Sequence, residues 1–238
     1  MKNLILFRPF RRLTLLFVVA VAFNSCSISH KYVKEARAKW QNEIGEFKKQ
    51  DVAHPDPQGA VLFTGSSSIR LWSTLQADVK PYPVIQRGFG GSKFSDLAVY
   101  AKDIIYPHQF MALVIFEAND ITGDKTDKTP KEVAKLFENI VQVVREKYTR
   151  KPIFVVAITP TSSRWKVWPQ IQEANRLLKE TCRKLPNTYF IDTVPFYLNK
   201  EGKPRDELFG KDFLHQNRDG YRIWGTLIRK SLDEVLRQ

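Results

Sequence analysis

Apolar residues in this chain recur in two rhythms. Val33, Ala36, Trp40, Ile44 and Phe47 follow one another at steps of three and four, which predicts one buried helix face reaching Gln50. Beyond it, short apolar segments alternate with longer mixed ones. Residues 60–64, 83–86, 111–116, 152–158 and 188–191 read as strands. The run MALVIF at 111–116 has no polar interruption, as expected of a central parallel strand covered on both faces. Helices are predicted from near Ser68, over 95–104, from Pro130 to about Lys147, over 168–185 and over 218–236. Thr129 is placed to cap the third of these, and Pro130 fits its first turn. Strands separated by helices predict an α/β fold with a parallel sheet and right-handed crossovers.

In such a sheet, ligands bind beyond the C-terminal ends of the strands. After the first strand comes Gly65-Ser66-Ser67-Ser68, and after the second Arg87-Gly88-Phe89-Gly90-Gly91-Ser92. Glu117-Ala118-Asn119-Asp120 follows the third, and Asp212 and His215 precede the last helix. Polar, glycine-rich and titratable groups therefore gather on one edge.

Their chemistry is that of a serine nucleophile. At a strand-to-helix turn the Ser67 hydroxyl is exposed and its N–H faces an incoming oxyanion. Ile69 stands where the G-x-S-x-G elbow of α/β-hydrolases needs glycine, which argues against that fold. The glycines at Gly90-Gly91 let a backbone N–H approach a carbonyl closely, and Asn119 supplies an amide donor. His215 fits a general base oriented by Asp212. Arg164 and Trp165, in SSRWKVW before the fourth helix, are candidates for binding substrate at the rim; Trp165 and Trp168 read equally as core anchors. His30, His54 and His108 read as surface residues, and Asp120 as a structural acceptor for nearby backbone.

Composition narrows the setting. The 238 residues suit one domain, and 43% hydrophobic with 26% charged content is globular. The N-terminus stands apart. Lys2, Arg8, Arg11 and Arg12 precede an apolar run over 13–23, too short to span a bilayer, and Cys26 follows in FNSCS. This resembles a bacterial lipoprotein signal, which implies a signal peptide over 1–25, lipidation at Cys26 and export to the cell envelope; plain secretion is the alternative. Residues 27–31 then form a polar tether, so that 26–50 comprises tether and helix. Removing four basic and no acidic residues lowers the formal charge from +13 to +9. The remaining Lys and Arg are scattered and carry no nucleic-acid motif. Cys182, the second of two cysteines, lies in an amphipathic pattern and reads as a small buried hydrophobe. No His or Cys cluster has metal-ligand spacing, so neither metal nor cofactor is expected.

Taken in order, TGSSSIRLW, QRGFGGSKFSDL, FEANDI and DFLH resemble the four blocks of the SGNH (GDSL-like lipase/acylhydrolase) family over roughly residues 38–236. The resemblance implies a three-layer α/β/α, flavodoxin-like fold with five parallel strands and a hydrolase domain over 51–238. It also implies a Ser67–His215–Asp212 triad, an oxyanion hole of Ser67, Gly91 and Asn119, and esterase, lipase, thioesterase or carbohydrate deacetylase activity. Small-molecule or glycan esters would be the substrates. Ser66 stands where the family has Asp, and Glu117 where it has glycine. A carboxylate at Glu117 must point away from the oxyanion or pair with a cation, Arg87 and Arg164 being the candidates. The same two departures motivate an alternative, a non-catalytic glycan-binding lipoprotein on this scaffold.

Overall fold

The computed structural model describes residues 25–237. The signal peptide expected over 1–25 therefore lies outside the described residues except for Ser25. Two helices, α1 (Ser25–His30) and α2 (Val33–Ala53), open the described chain. The stretch expected as a polar tether is thus largely helical: Ile28 is half-buried against the core, a contact that polar composition does not signal.

The sheet consists of β1 (Val61–Gly65), β2 (Val84–Gly88), β3 (Ala112–Phe116), β4 (Ile153–Val156) and β5 (Thr188–Ile191). All neighbours are parallel, in the order β2-β1-β3-β4-β5. Every residue of β1, β3 and β4 is buried, while edge strands β2 and β5 are half-buried. That is the division expected when only central strands are covered on both faces.

Short helices α3 (Ser67–Arg70) and α4 (Leu75–Asp78) connect β1 to β2. The later crossovers use α5 (Phe94–Ile105), α6 (Pro130–Lys147) and α7 (Trp168–Lys184), and α8 (Arg218–Leu236) closes the chain. Helices α5, α6 and α7 pack side by side, while α8 packs against α4 and β5. Right-handed crossovers place α5, α6 and α7 on the face opposite α3 and α4, because the β1-to-β2 step runs one way across the sheet and the later steps run the other. The reversal makes the gap between the C-terminal ends of β1 and β3 the switch point of the sheet.

Aromatic packing ties the two ends of the chain together there. Trp72 is fully buried, stacks on Tyr221 of α8 at 5.2 Å and meets Trp224 and Phe63 edge-on. Tyr221 Oη donates to the Ser68 carbonyl at 3.0 Å. Arg218 binds both carboxylate oxygens of Asp78 at 2.7 Å. On the other face, Trp40 of α2 packs edge-on against Phe89 at 5.2 Å. Contrary to the surface role expected of it, His108 is buried, with Nδ1 2.9 Å from Asp56 Oδ1 and Nε2 3.5 Å from Asp51. Cys182 is buried and free.

Candidate active site

Strand β1 ends in Gly65 at φ +134°, a conformation that L side chains rarely adopt. A Cβ there would lie 1.8 Å from the Phe116 carbonyl oxygen. Freed of a side chain, the backbone stays against β3, and the Ser66 N–H donates to that same oxygen at 3.0 Å. The chain then turns at once into α3, which brings Ser67 out half-exposed while Ser66 and Ser68 are buried. The first-turn N–H groups of a helix have no acceptor inside it, so the Ser67 N–H is available to a ligand.

From the opposite end of the sequence comes the loop before α8. Asn217 caps α8, accepting from Asp219 and Gly220 N–H, while its own amide donates to the Glu207 and Phe209 carbonyls. Gly210 N–H donates to the His215 carbonyl at 2.8 Å and closes the loop upon itself. Within it, Asp212 Oδ1 accepts the Leu214 and His215 N–H groups, and Oδ2 lies 2.6 Å from His215 Nδ1. Burial pushes the Asp212 carboxyl up, but the hydrogen bonds from the His215 ring and from the two backbone N–H groups outweigh it, and the group ends below its ordinary value. A carboxylate held ionised in this way keeps the Nδ1 proton, which leaves Nε2 as an acceptor. Nε2 lies 2.9 Å from Ser67 Oγ. Of the three serines, only Ser67 forms that bond.

Gly91 has φ +85°, and a Cβ built there meets nothing within 4 Å. It therefore borders open space in a left-handed conformation suited to glycine. Asn119, half-buried after β3, donates its amide to the Ser92 carbonyl at 2.8 Å. Arg164 lies in the turn Ser162–Val167 and donates to the Ala118 carbonyl and to Asn119 Oδ1. Ser67, His215, Asn119 and Arg164 all line one cavity of about 20 Å³, little more than the room of a water molecule. Thr159 borders it as well, its hydroxyl buried without a hydrogen-bond partner. Trp165 sits just outside, half-buried and stacked on buried Trp168 at 5.7 Å, so the rim and core readings divide between the two rings. Two larger clefts, of about 370 Å³ beside α2 and about 280 Å³ beside α7, contain none of Ser67, His215 and Asp212.

Glu117 is paired with neither expected cation. Arg87 is bound to Asp51, Arg164 is engaged with Ala118 and Asn119, and Lys128 faces Asp120 at 3.2 Å. The Glu117 carboxyl is fully buried, with Ser92 Oγ 2.9 Å and 3.0 Å from its two oxygens. Burial first, and the nearby Asp120 second, raise it well above the usual carboxylate range, with Ser92 only partly offsetting them. The neutral acid is thereby favoured. Asp120 takes the structural role expected of it, accepting the Phe94 N–H at 2.7 Å.

This state of Glu117 has a measurable consequence. Its pKa is raised on folding, so the stability associated with its protonated form is complete below the unfolded value, near 4.3, and is lost as pH rises through the folded value. Asp96 and Asp120 are raised too, but are common to wild type and Glu117→Gln. The Tm of wild type minus that of Glu117→Gln should therefore fall steadily between pH 5 and pH 9. A difference that stays constant across that range would show Glu117 ionised throughout.

A model of the GDSL-like lipase/acylhydrolase family matches residues 53–223 of the chain. No curated protein matches the sequence. Among solved structures, a GDSL-like lipase from Bacteroides thetaiotaomicron is similar at 16% identity and TM-score 0.65, covering 80% of this chain and 97% of that one. A catalytic mutant of an acetylxylan esterase from Geobacillus stearothermophilus is similar at 14% identity and TM-score 0.61, covering 74% and 95%. A lipase/acylhydrolase from Enterococcus faecalis is similar at 20% identity and TM-score 0.58, covering 74% and 95%. At these identities the likeness establishes a shared fold.

Proposed function

Because the chain belongs to the GDSL-like lipase/acylhydrolase family, a class of ester hydrolases, we propose that it cleaves carboxylic esters of short acyl groups through an acyl-enzyme on Ser67. The observation that carries this reading is the continuous line Ser67 Oγ, His215 Nε2, His215 Nδ1, Asp212 Oδ2, with separations of 2.9 Å and 2.6 Å. Ser67 Oγ attacks the ester carbonyl carbon as its proton passes to His215 Nε2. The oxyanion that forms takes hydrogen bonds from the Ser67 and Gly91 N–H groups and the Asn119 amide. Collapse breaks the bond to the alcohol, which leaves with the proton from His215. Water, deprotonated by the same nitrogen, then releases the acid and restores Ser67. Asp212 stays ionised throughout and holds the ring.

Labelling with a fluorophosphonate and mapping the modified residue tests the route. Modification at Ser67 alone is expected; a label elsewhere, or none, would overturn it. The small cavity favours a short acyl group over a long one. A pocket rejects each misfitting methylene by about 1–3 kcal/mol, so kcat/KM for p-nitrophenyl acetate should exceed that for the octanoate by at least about 10². Equal values would favour a long-chain lipase.

For the alcohol half, an O-acetylated glycan is the reading we favour, since one structural neighbour is an acetylxylan esterase. The non-catalytic alternative draws no support from an assembled triad. The basic, apolar and Cys26 pattern at the N-terminus supports export with a lipid anchor. Metabolic fatty-acid labelling that persists in Cys26→Ala would refute the anchor.

A further inference from the structure

We propose that Arg164 is a positioning residue for the oxyanion donors, fixing the amide of Asn119 from one side while Glu117, through Ser92, holds it from the other. This rests on the acyl-enzyme reading and deepens it. The guanidinium fork donates one N–H to the Ala118 carbonyl and another to Asn119 Oδ1. An amide whose oxygen is held by a guanidinium cannot turn over, because its NH₂ group would then face another donor. Nδ2 is therefore fixed on the opposite side. One of its N–H bonds goes to the Ser92 carbonyl at 2.8 Å, and the second is left for a substrate oxygen.

Ser92 directly follows Gly91, so holding Ser92 also holds the backbone donor. Its hydroxyl is anchored on fully buried Glu117 at 2.9 Å and 3.0 Å, and Ser92 itself is fully buried. Arg164, Asn119, Ser92 and Glu117 thus run as one hydrogen-bonded line behind the site, drawn from three segments of chain. The near end is tied to the base as well: the Ser163 N–H donates to the Phe213 carbonyl at 3.3 Å, inside the loop that carries His215.

Losing an oxyanion donor outright costs about 10² to 10³ in rate, and a donor left in place but misaimed should cost less. The test is a cycle of wild type, Arg164→Ala, Asn119→Ala and the double variant on p-nitrophenyl acetate, with Ser67 labelling alongside. Arg164→Ala is expected to lower kcat by about 10- to 10²-fold with KM changed less than about 2-fold. In the Asn119→Ala background the same change should cost less than about 3-fold. Arg164→Lys should not rescue, since one ammonium cannot span both oxygens. Glu117→Ala, which removes the anchor of Ser92, is expected to lower kcat by about 10-fold with KM little changed.

A raised KM with unchanged kcat would make Arg164 a substrate contact and overturn the proposal. So would an undiminished loss in the Asn119→Ala background. If Arg164→Ala does not fold, Arg164→Gln, which keeps one donor, carries the same cycle, and the same two outcomes overturn the proposal. A wild type that neither turns over nor is labelled at Ser67 sinks the acyl-enzyme reading and this proposal together. A labelled wild type with independent variants sinks the proposal alone.

Discussion

Ser67→Ala is expected to lower kcat for p-nitrophenyl acetate by at least about 10⁴-fold, with the Tm within about 2 °C of wild type. The size of the effect follows from the route. Without Oγ there is no covalent intermediate, and His215 has no hydroxyl to activate. What survives is the help that the oxyanion donors give to direct attack by water, a residual of about 10³ to 10⁴ over the uncatalysed reaction in triad enzymes. The small effect on stability follows from local structure. Ser67 is half-exposed, and the contact its hydroxyl makes is with His215 at 2.9 Å, at a solvent-facing edge. Ser66→Ala and Ser68→Ala are the controls, because both side chains are buried and neither meets His215. If Ser67→Ala keeps activity within tenfold of wild type, the nucleophile lies elsewhere.

Gly65→Ala should be among the most damaging single substitutions in the molecule. The added methyl would sit 1.8 Å from the Phe116 oxygen and 2.7 Å from its carbonyl carbon, both backbone atoms that side-chain rotation cannot clear. The φ of +134° is closed to alanine in any case. Relief requires β1 and β3 to part at the Gly65–Phe116 register, which also breaks the Ser66 N–H bond to Phe116. A loss above about 4 kcal/mol is expected in urea denaturation, or no soluble protein at all. Gly59→Ala makes the contrast: its φ is +69° with nothing within 4 Å of a new Cβ, so about 1 kcal/mol should suffice. A Gly65→Ala protein as stable as Gly59→Ala would contradict the geometry at the switch point.

Much of this was legible in the order of residues, and the part that was not has a common physical cause. Continuous apolar runs such as ALVIF mark central strands because burial on both faces leaves no room for alternation. Chemical groups at strand ends mark the site because parallel topology sends all of those ends to one edge. Both signals are local. The state of Glu117 is not local: its protonation follows from burial and from Asp120, which composition cannot rank. The engagement of Arg164 with Asn119 joins residues 45 apart, and nothing in SSRWKVW announces it. His108 reads as an ordinary loop histidine until Asp51 and Asp56 are brought to it. Ile28 shows the same limit, since a single apolar residue in a polar stretch gains its meaning only from the surface it covers.

Ser67 and His215 are 148 residues apart in the chain, and the Tyr221 clasp onto Ser68 that brings them together belongs to the last helix. A polypeptide still emerging from the ribosome therefore carries an unactivated hydroxyl and no partner for it. A fragment ending before Asp212 would lack both groups that line up with Ser67, however well its sheet had formed. The contact between Ser67 and His215 thus becomes possible only when nearly the whole chain has been made.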